Sequence, residues 1–455
     1  MIHDLSLSFA KDLDKKAMPF LKAWSGLARC ANATILFSGY SRQPGLRLLQ
    51  VATVFKQAQV CRWNLLANSK DPNCLSLASS KSDQQAAWRV KYGPASHYQE
   101  LHAIVQQDQE RDSLVRQPRL GLGCQPLLSH PLPSTSSKAL SAVITRVDLE
   151  HQLNRLQSLA MQGDWARWDE SMTQDLSWNK LLYDFSSRML SFLLNATSNT
   201  LPTPDNLRRW GVENVDARCP LCAHSSCTLR HILAGCPVAL NGSRYTWRHN
   251  SILATLCKLI EQWWLVARPQ ACQAATCARP ISFVKAASKP LPGCASSRPQ
   301  AITVQSHLAG ADDWIFLFDL PDRPLAFPPH IVSTTSRPDV VIYSDALRRC
   351  ILAELTSPME DRVLTSSQLK MQRYASLQSV IIESGWTCDI ITFEVGARGY
   401  ISSGLRHLLK VLGVPKRKID DICSACSQTA LRASYSIFLH HRNAHWPYTL
   451  PFTCL

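Results

Sequence analysis

Apolar positions recur at three- and four-residue steps through Leu48, Ala52, Phe55, Gln59 and Trp63 or Leu66, after a turn at Pro44-Gly45, which predicts a helical first hundred residues. The helical period resumes at Leu153, Leu156 and Ala160. It returns at Trp178, Leu182, Phe185, Met189 and Phe192, and the run Leu201-Pro-Thr-Pro-Asp205 stops it. Residues 244–268 read as a further helix. Past residue 300 the period falls to two, so 301–306, 338–343, 350–356 and 387–395 read as strands. A helix over 360–384 separates the last two strands, and helices over 402–412 and 419–439 follow. Stretches 118–138 and 269–299 lose periodicity and are rich in Pro, Ser, Gly or Ala, as linkers are. The expectation is an α+β multidomain chain: helical over 1–117, a linker over 118–140, helical again over 141–210, a cysteine-rich segment with its following helix over 211–268, a linker over 269–299, and an α/β unit over 300–455.

Length agrees with that division, since 455 residues at roughly 100 to 200 per domain give two to four units. Charge narrows the partners. Lys and Arg number 49 against 34 Asp and Glu, and the formal charge of +15 favours a polyanion, with nucleic acid first and an anionic membrane surface second. Arg47, Lys56, Arg62 and Lys70 decorate one stretch of the first helical region; each reads as solvated, and together they are able to line a nucleic-acid groove. No run reaches the ~18 to 20 apolar residues of a spanning helix. Asp4, Asp12 and Asp14 stand where a signal peptide has a basic start and apolar core, so an intracellular protein is expected. The 17 cysteines are odd in number and scattered, which fits reduced thiols with a subset on metal better than a disulfide framework.

One such subset is compact. Cys219 and Cys222 form a C-x2-C turn, with His231 and Cys236 following at C-x8-H-x4-C. The turn brings two thiolates onto one ion, and a His and a Cys little more than a helical turn apart can converge on it, closing a tetrahedron around zinc. His224 and Cys227, inside the loop, are alternative ligands. Four protein ligands leave no position for water, so this zinc is structural.

A second constellation lies in the β-rich part. The run 337–343 reads as a strand, 345–347 as a tight turn and 349–356 as the returning strand. A two-residue turn at Ala346-Leu347 pairs Tyr343 with Cys350 and Asp339 with Glu354, and the two carboxylates then repel unless a cation sits between them. Magnesium or manganese, held by carboxylates, water and phosphate oxygen, is such a cation. Lys370 shares a helix stripe with Tyr374, Leu377 and Ile381, the stripe expected to pack on the sheet. Asp, Glu and Lys in this order form the PD-(D/E)xK nuclease arrangement, with the lysine moved from the strand, where Thr356 stands, to the next helix. Arg248 and His249, just after the cysteine cluster, are candidates for phosphate contact.

These motifs, taken with Trp24-Ser-Gly-Leu27, Ser69-Lys-Asp-Pro72, the run Leu201 to Trp210, Thr228-Leu-Arg-His231, Arg244-Tyr-Thr-Trp-Arg-His-Asn250, Arg373-Tyr374 and Glu394-Val-Gly-Ala-Arg-Gly399, resemble the C-terminal half of R2-type non-LTR retrotransposon polyproteins. In that family a reverse transcriptase is followed by a helical linker, a CCHC zinc knuckle and a restriction-like endonuclease. The resemblance implies zinc on Cys219, Cys222, His231 and Cys236, a catalytic metal on Asp339 and Glu354, assistance from Lys370, and DNA nicking that supplies a primer end for target-primed reverse transcription. Element RNA is a second candidate partner beside DNA; the lack of a spanning run leads to no membrane being expected, and reduced thiols fit a nuclear location, or a cytoplasmic one before import. The chain departs from the pattern at Met359, where Trp is expected, and at Ala397, where Cys is expected. The polymerase signature, aromatic-x-Asp-Asp, is absent: Ala311-Asp312-Asp313 has no aromatic before it and Tyr343-Ser-Asp345 lacks the second Asp. Reverse transcription is therefore not expected of this chain. The alternative to a nuclease is an inert, zinc-stabilised nucleic-acid-binding protein from a truncated or domesticated element.

Overall fold

The computed structural model describes residues 7–39, 44–67, 69–74, 76, 137–167, 172–173, 183–276, 308 and 310–448. The strand expected over 301–306, Trp178 and Leu182 of the expected helix, and nearly all of the 118–140 linker lie outside the described residues. The chain forms two compact units, 1–231 and 232–455.

The first unit is helical. Helix α1 (Leu7–Ser25), the short α2 (Thr34–Phe37), α3 (Val51–Ala67) and α4 (Ser137–Gln157) come first, followed by α5 (Ser187–Thr197) and α6 (Pro204–Arg209). The start of α3 is fixed by Asp14, whose two carboxylate oxygens accept the Val51 and Ala52 amides at 2.8 and 2.9 Å, a favourable use of an anion at a helix N-terminus. Lys56 meets Asp148 of α4 at 2.7 Å and Thr53 donates to the same carboxylate at 2.7 Å. Lys56 is thus engaged in holding two helices together rather than lining a groove. Phe185 precedes α5, because Ser186 caps the helix by accepting the Met189 amide at 3.3 Å. Thr203 caps α6 in the same way, ahead of Pro204 at the first helical turn.

The second unit is a four-stranded sheet with helices on both faces. It opens with the short α7 (Pro237–Asn241) and the long α8 (Arg244–Thr276). The sheet follows: β1 (Ile315–Phe318), β2 (Val340–Ser344), β3 (Arg349–Thr356), helix α9 (Val363–Glu383) and β4 (Thr387–Glu394), closed by α10 (Ser403–Val411) and α11 (Lys416–Leu439). Strand order follows the chain, with β1, β2 and β3 antiparallel and β4 parallel to β3. Strand β1 was not expected, being short and apolar throughout, with no alternation to mark it. Helix α8 continues through Pro269 to Thr276, into the stretch read as a linker. Proline forfeits one intrahelical hydrogen bond, and a helix already anchored by Ile252, Leu256 and Ile260 in the core tolerates that loss.

Alternation along the strands sorts the sheet into two faces. Val340, Ile342, Ile351, Ala353, Leu355 and Phe393 face α8, α10 and α11. Val341, Tyr343, Cys350 and Leu352 face α9, against Tyr374, Leu377 and Ile381. Asp339 and Glu354 continue this second set by steps of two, so they extend the α9 face where its apolar part ends. Among the described residues no helix is long and apolar enough to cross a membrane.

Candidate zinc knuckle and carboxylate site

The knuckle begins with a tight turn. The Ala223 amide donates to the Cys219 carbonyl at 2.8 Å and the Cys219 amide to the His224 carbonyl at 2.8 Å, with Ala223 in the left-handed region at φ 57°. That turn places both thiols on one side. Thr228 Oγ1 then accepts the His231 amide at 3.2 Å and starts the single π-turn His231–Gly235, which carries His231 and delivers Cys236. The ligand atoms of Cys219, Cys222, His231 and Cys236 all lie within 4.8 Å of one another, and Cys222 Sγ is 3.2 Å from His231 Nε2. A tetrahedral zinc with bonds of ~2.0 to 2.3 Å asks for ligand-to-ligand edges of roughly 3.5 to 3.8 Å, so this donor set fits the ion. Burial, followed by the charge of neighbouring His224, pushes the His231 pKa down, which favours the neutral imidazole that a metal requires.

The alternative ligands fall outside the set. His224 stacks on His231 with ring centroids 4.7 Å apart, and its Nδ1 lies 3.3 Å from the Ser226 amide and 3.2 Å from the Ser226 carbonyl. Cys227 is buried, its amide donating to the Ala217 carbonyl at 2.8 Å.

At the hairpin the expected register holds: Tyr343 pairs with Cys350 and Val340 with Ala353. The Arg348 amide closes the turn on the Asp345 carbonyl at 3.3 Å. Asp313, considered above for a polymerase signature, accepts Ser344 Oγ at 2.6 Å and the Ala346 amide at 2.8 Å, and so braces this turn. One step beyond the strand, the Asp339 amide donates to Glu354 Oε2 at 3.0 Å, and Asp339 Oδ2 accepts the Leu355 amide at 2.8 Å. Lys370 reaches down from α9 to pair with Glu354 Oε1. Tyr374, one turn on, donates to the Arg337 carbonyl at 3.2 Å. The three residues proposed from sequence are therefore brought together. Burial, reinforced by the Asp339 charge and opposed by Lys370, raises the Glu354 pKa above the ordinary carboxylate range.

Arg248 and His249 are placed otherwise than expected. Arg248 is 1% exposed, and its guanidinium donates to the Leu233 carbonyl at 2.9 Å, Ser434 Oγ at 3.1 Å and the Ser357 carbonyl at 2.8 Å. Burial lowers its pKa to about 10, and it lies over the Tyr245 ring at 5.6 Å. This is an interior tie, with Nη1 and Nη2 directed at protein, not a phosphate contact. His249 turns toward the carboxylates: Nε2 is 3.1 Å from Asp339 Oδ2 and 3.3 Å from the Leu355 carbonyl. Burial disfavours its charge, but the charge of Asp339 and the hydrogen bonds that the imidazole makes to Asp339 and Asn250 outweigh that and raise its pKa to about 9. Sequence reasoning placed His249 near nucleic acid and missed this contact.

Within the run Glu394 to Gly399, Gly396 and Arg398 are architectural. Arg398 forms a buried pair with Glu360, Nε to Oε2 at 2.7 Å, while its amide donates to Oε1 at 2.6 Å. A Cβ at Gly396 would meet Glu360 Oε1 at 2.5 Å, so only glycine leaves room for that carboxylate.

With the geometry established, residues 165–242 match a family of known proteins described as zinc-binding in reverse transcriptase. The match encloses Cys219, Cys222, His231 and Cys236, and together with their clustering it supports a structural zinc and a retroelement-derived, reverse-transcriptase-related protein. A comparison with curated proteins finds no significant match.

Proposed function

We propose that the chain is a divalent-metal-dependent DNA endonuclease module of a non-LTR retroelement of the R2 type, acting in the nucleus. It nicks DNA to expose a 3′ end for target-primed reverse transcription, with residues 300–455 as its nuclease domain and element RNA as a second partner. The observation that carries this reading is the meeting of Asp339, Glu354 and Lys370 at the polar end of one sheet face. Asp339 Oδ1 has no hydrogen-bond partner among the described residues, since Oδ2 takes both donors that reach the side chain. Beside it stands a buried glutamate whose charge is disfavoured. Such a pair suits a hard cation, and Asp339 Oδ1 and Glu354 are the groups that would hold it.

Magnesium or manganese, when bound, would offset charge on the scissile phosphate. In the hydrolysis, a water oxygen bonds to phosphorus, the bond from phosphorus to O3′ breaks, and the departing oxygen takes a proton, leaving a 3′-hydroxyl and a 5′-phosphate. Lys370 is suited to hold the attacking water or a phosphate oxygen and to offset the charge that develops there. The surplus of +15 would bind the DNA backbone without reading sequence.

A second reading draws on the ion pairs. Lys370 with Glu354 and His249 with Asp339 balance two carboxylates by two cations without any metal, as an inert nucleic-acid-binding descendant would need. Nicking of supercoiled plasmid in magnesium or manganese separates the two. The nuclease reading expects nicks from the wild type and none from Asp339→Ala, and the inert reading expects binding alone.

A further inference from the structure

The sheet and α9 account for Asp339, Glu354 and Lys370, but the side chain of Asp339 is also held from the opposite side of the chain's topology. His249 lies 90 residues earlier, on α8, and its Nε2 addresses two acceptors at once, Asp339 Oδ2 at 3.1 Å and the Leu355 carbonyl at 3.3 Å. Because a carbonyl only accepts, Nε2 carries the hydrogen. The Leu355 amide donates to the same Oδ2 at 2.8 Å, so two donors fix this oxygen and turn Oδ1 away from them. The imidazole is itself restrained, with Nδ1 3.1 Å from Asn250 Oδ1.

The helix that carries His249 is registered on both sides. One turn earlier, the Tyr245 hydroxyl donates to the Ile232 carbonyl at 3.0 Å and accepts the Cys236 amide at 3.1 Å. Arg248, the residue before it, ties the Leu233 carbonyl to the Ser357 carbonyl, just past the strand that carries Glu354. A helix held at these points has little freedom to slide, and the donor on His249 is delivered to Asp339 at a set height.

We propose that His249 is a positioning residue for Asp339: it clamps Oδ2 so that Oδ1 faces the divalent cation. The role rests on the nuclease reading above and deepens it. His249 touches neither metal nor DNA and acts through the carboxylate, as outer partners of metal ligands do.

The test compares two amide side chains of different reach in the full-length, zinc-loaded chain. Glutamine places its amide nitrogen near the position of Nε2 and keeps the donor, whereas asparagine is too short. Binding of Mn2+ alone is followed by electron paramagnetic resonance, beside nicking and duplex binding without added magnesium. His249→Asn should weaken Mn2+ binding by about 10- to 100-fold and raise the metal concentration for half-maximal nicking by a similar factor, with DNA affinity unchanged. His249→Gln should recover most of both losses. Equal behaviour of the two variants, or an Asn variant that binds Mn2+ as tightly as wild type or more tightly, would overturn the role of His249. A wild-type chain that neither binds Mn2+ nor nicks DNA would instead overturn the nuclease reading on which the role rests.

Discussion

In the knuckle, all four ligands come from one continuous stretch, 219–236, and local turns bring them together, with Leu229, Ile232 and Leu233 of the same stretch buried beside them. In the carboxylate site, the groups arrive from a strand end, a neighbouring strand, the crossover helix α9 and the earlier helix α8, and each is held by elements that a hydrophobic core has already fixed. The first site draws its groups from sequence neighbours, while the second is assembled by packing. The knuckle is therefore vulnerable to loss of metal, and the carboxylate site to loss of register.

The largest separation of the two should come from zinc removal. Structural zinc contributes on the order of 10 kcal/mol to small domains of this kind. A chelator is expected to strip hydrogen-exchange protection from 219–236 while β2 and β3 keep theirs, and metal analysis of the untreated, reduced protein should give one zinc per chain. Loss of protection across the sheet as well would mean that the sheet also depends on the zinc.

Arg398→Ala tests the other side. It leaves Glu360 charged and buried without its partner, which should cost about 3 to 5 kcal/mol in denaturant unfolding. Zinc content should stay at the wild-type value. A surface-like loss below ~1 kcal/mol would mean that the Glu394 to Gly399 run does not brace the sheet as its geometry indicates.

Lys370→Ala acts within the carboxylate site alone. Nicking should slow by about 10²- to 10³-fold, by analogy with removing one preorganised donor, with duplex affinity nearly unchanged. An unaltered rate would leave Lys370 as a charge partner of Glu354 and nothing more.

The smallest effect of these substitutions should be on affinity. DNA binding driven by the +15 surplus is expected to fall steeply and linearly on a logarithmic salt scale, with the same slope for wild type and Asp339→Ala. Binding that ignores salt would remove the electrostatic argument for a nucleic-acid partner.

Much of both sites was legible, for different reasons. The knuckle's spacing is a local constraint, so Cys219, Cys222, His231 and Cys236 were readable directly; excluding the alternates His224 and Cys227 was not, because it depends on the π-turn at His231–Gly235 that carries His231 into the set. The hairpin register followed from one turn, since pairing Tyr343 with Cys350 forces Asp339 toward Glu354. Lys370 was readable because it shares a stripe with Tyr374, Leu377 and Ile381, all of which proved to be buried. The contact of His249 was not foreseen, although a signal was present: His249, Ile252, Leu253, Leu256 and Ile260 recur at helical spacing, so a polar ring heads the core-facing stripe of α8. What that ring would meet depends on tertiary packing over 90 residues of chain, which periodicity does not encode. Arg248 was misjudged for the same reason, since its neighbours in space come from 233, 357 and 434. Strand β1 was missed because Ile315–Phe318 is apolar throughout and too short to show an alternation.

A plasmid nicking assay decides whether Asp339 and Glu354 form a metal-holding nuclease site or a neutralised relic. Zinc-loaded wild-type chain, incubated with supercoiled plasmid and magnesium or manganese, is expected to yield open circles, and Asp339→Ala, bound to the same DNA with the same salt dependence, to yield none. Equal nicking by both proteins, or DNA binding by the wild type with no nicking in either metal, would contradict the account.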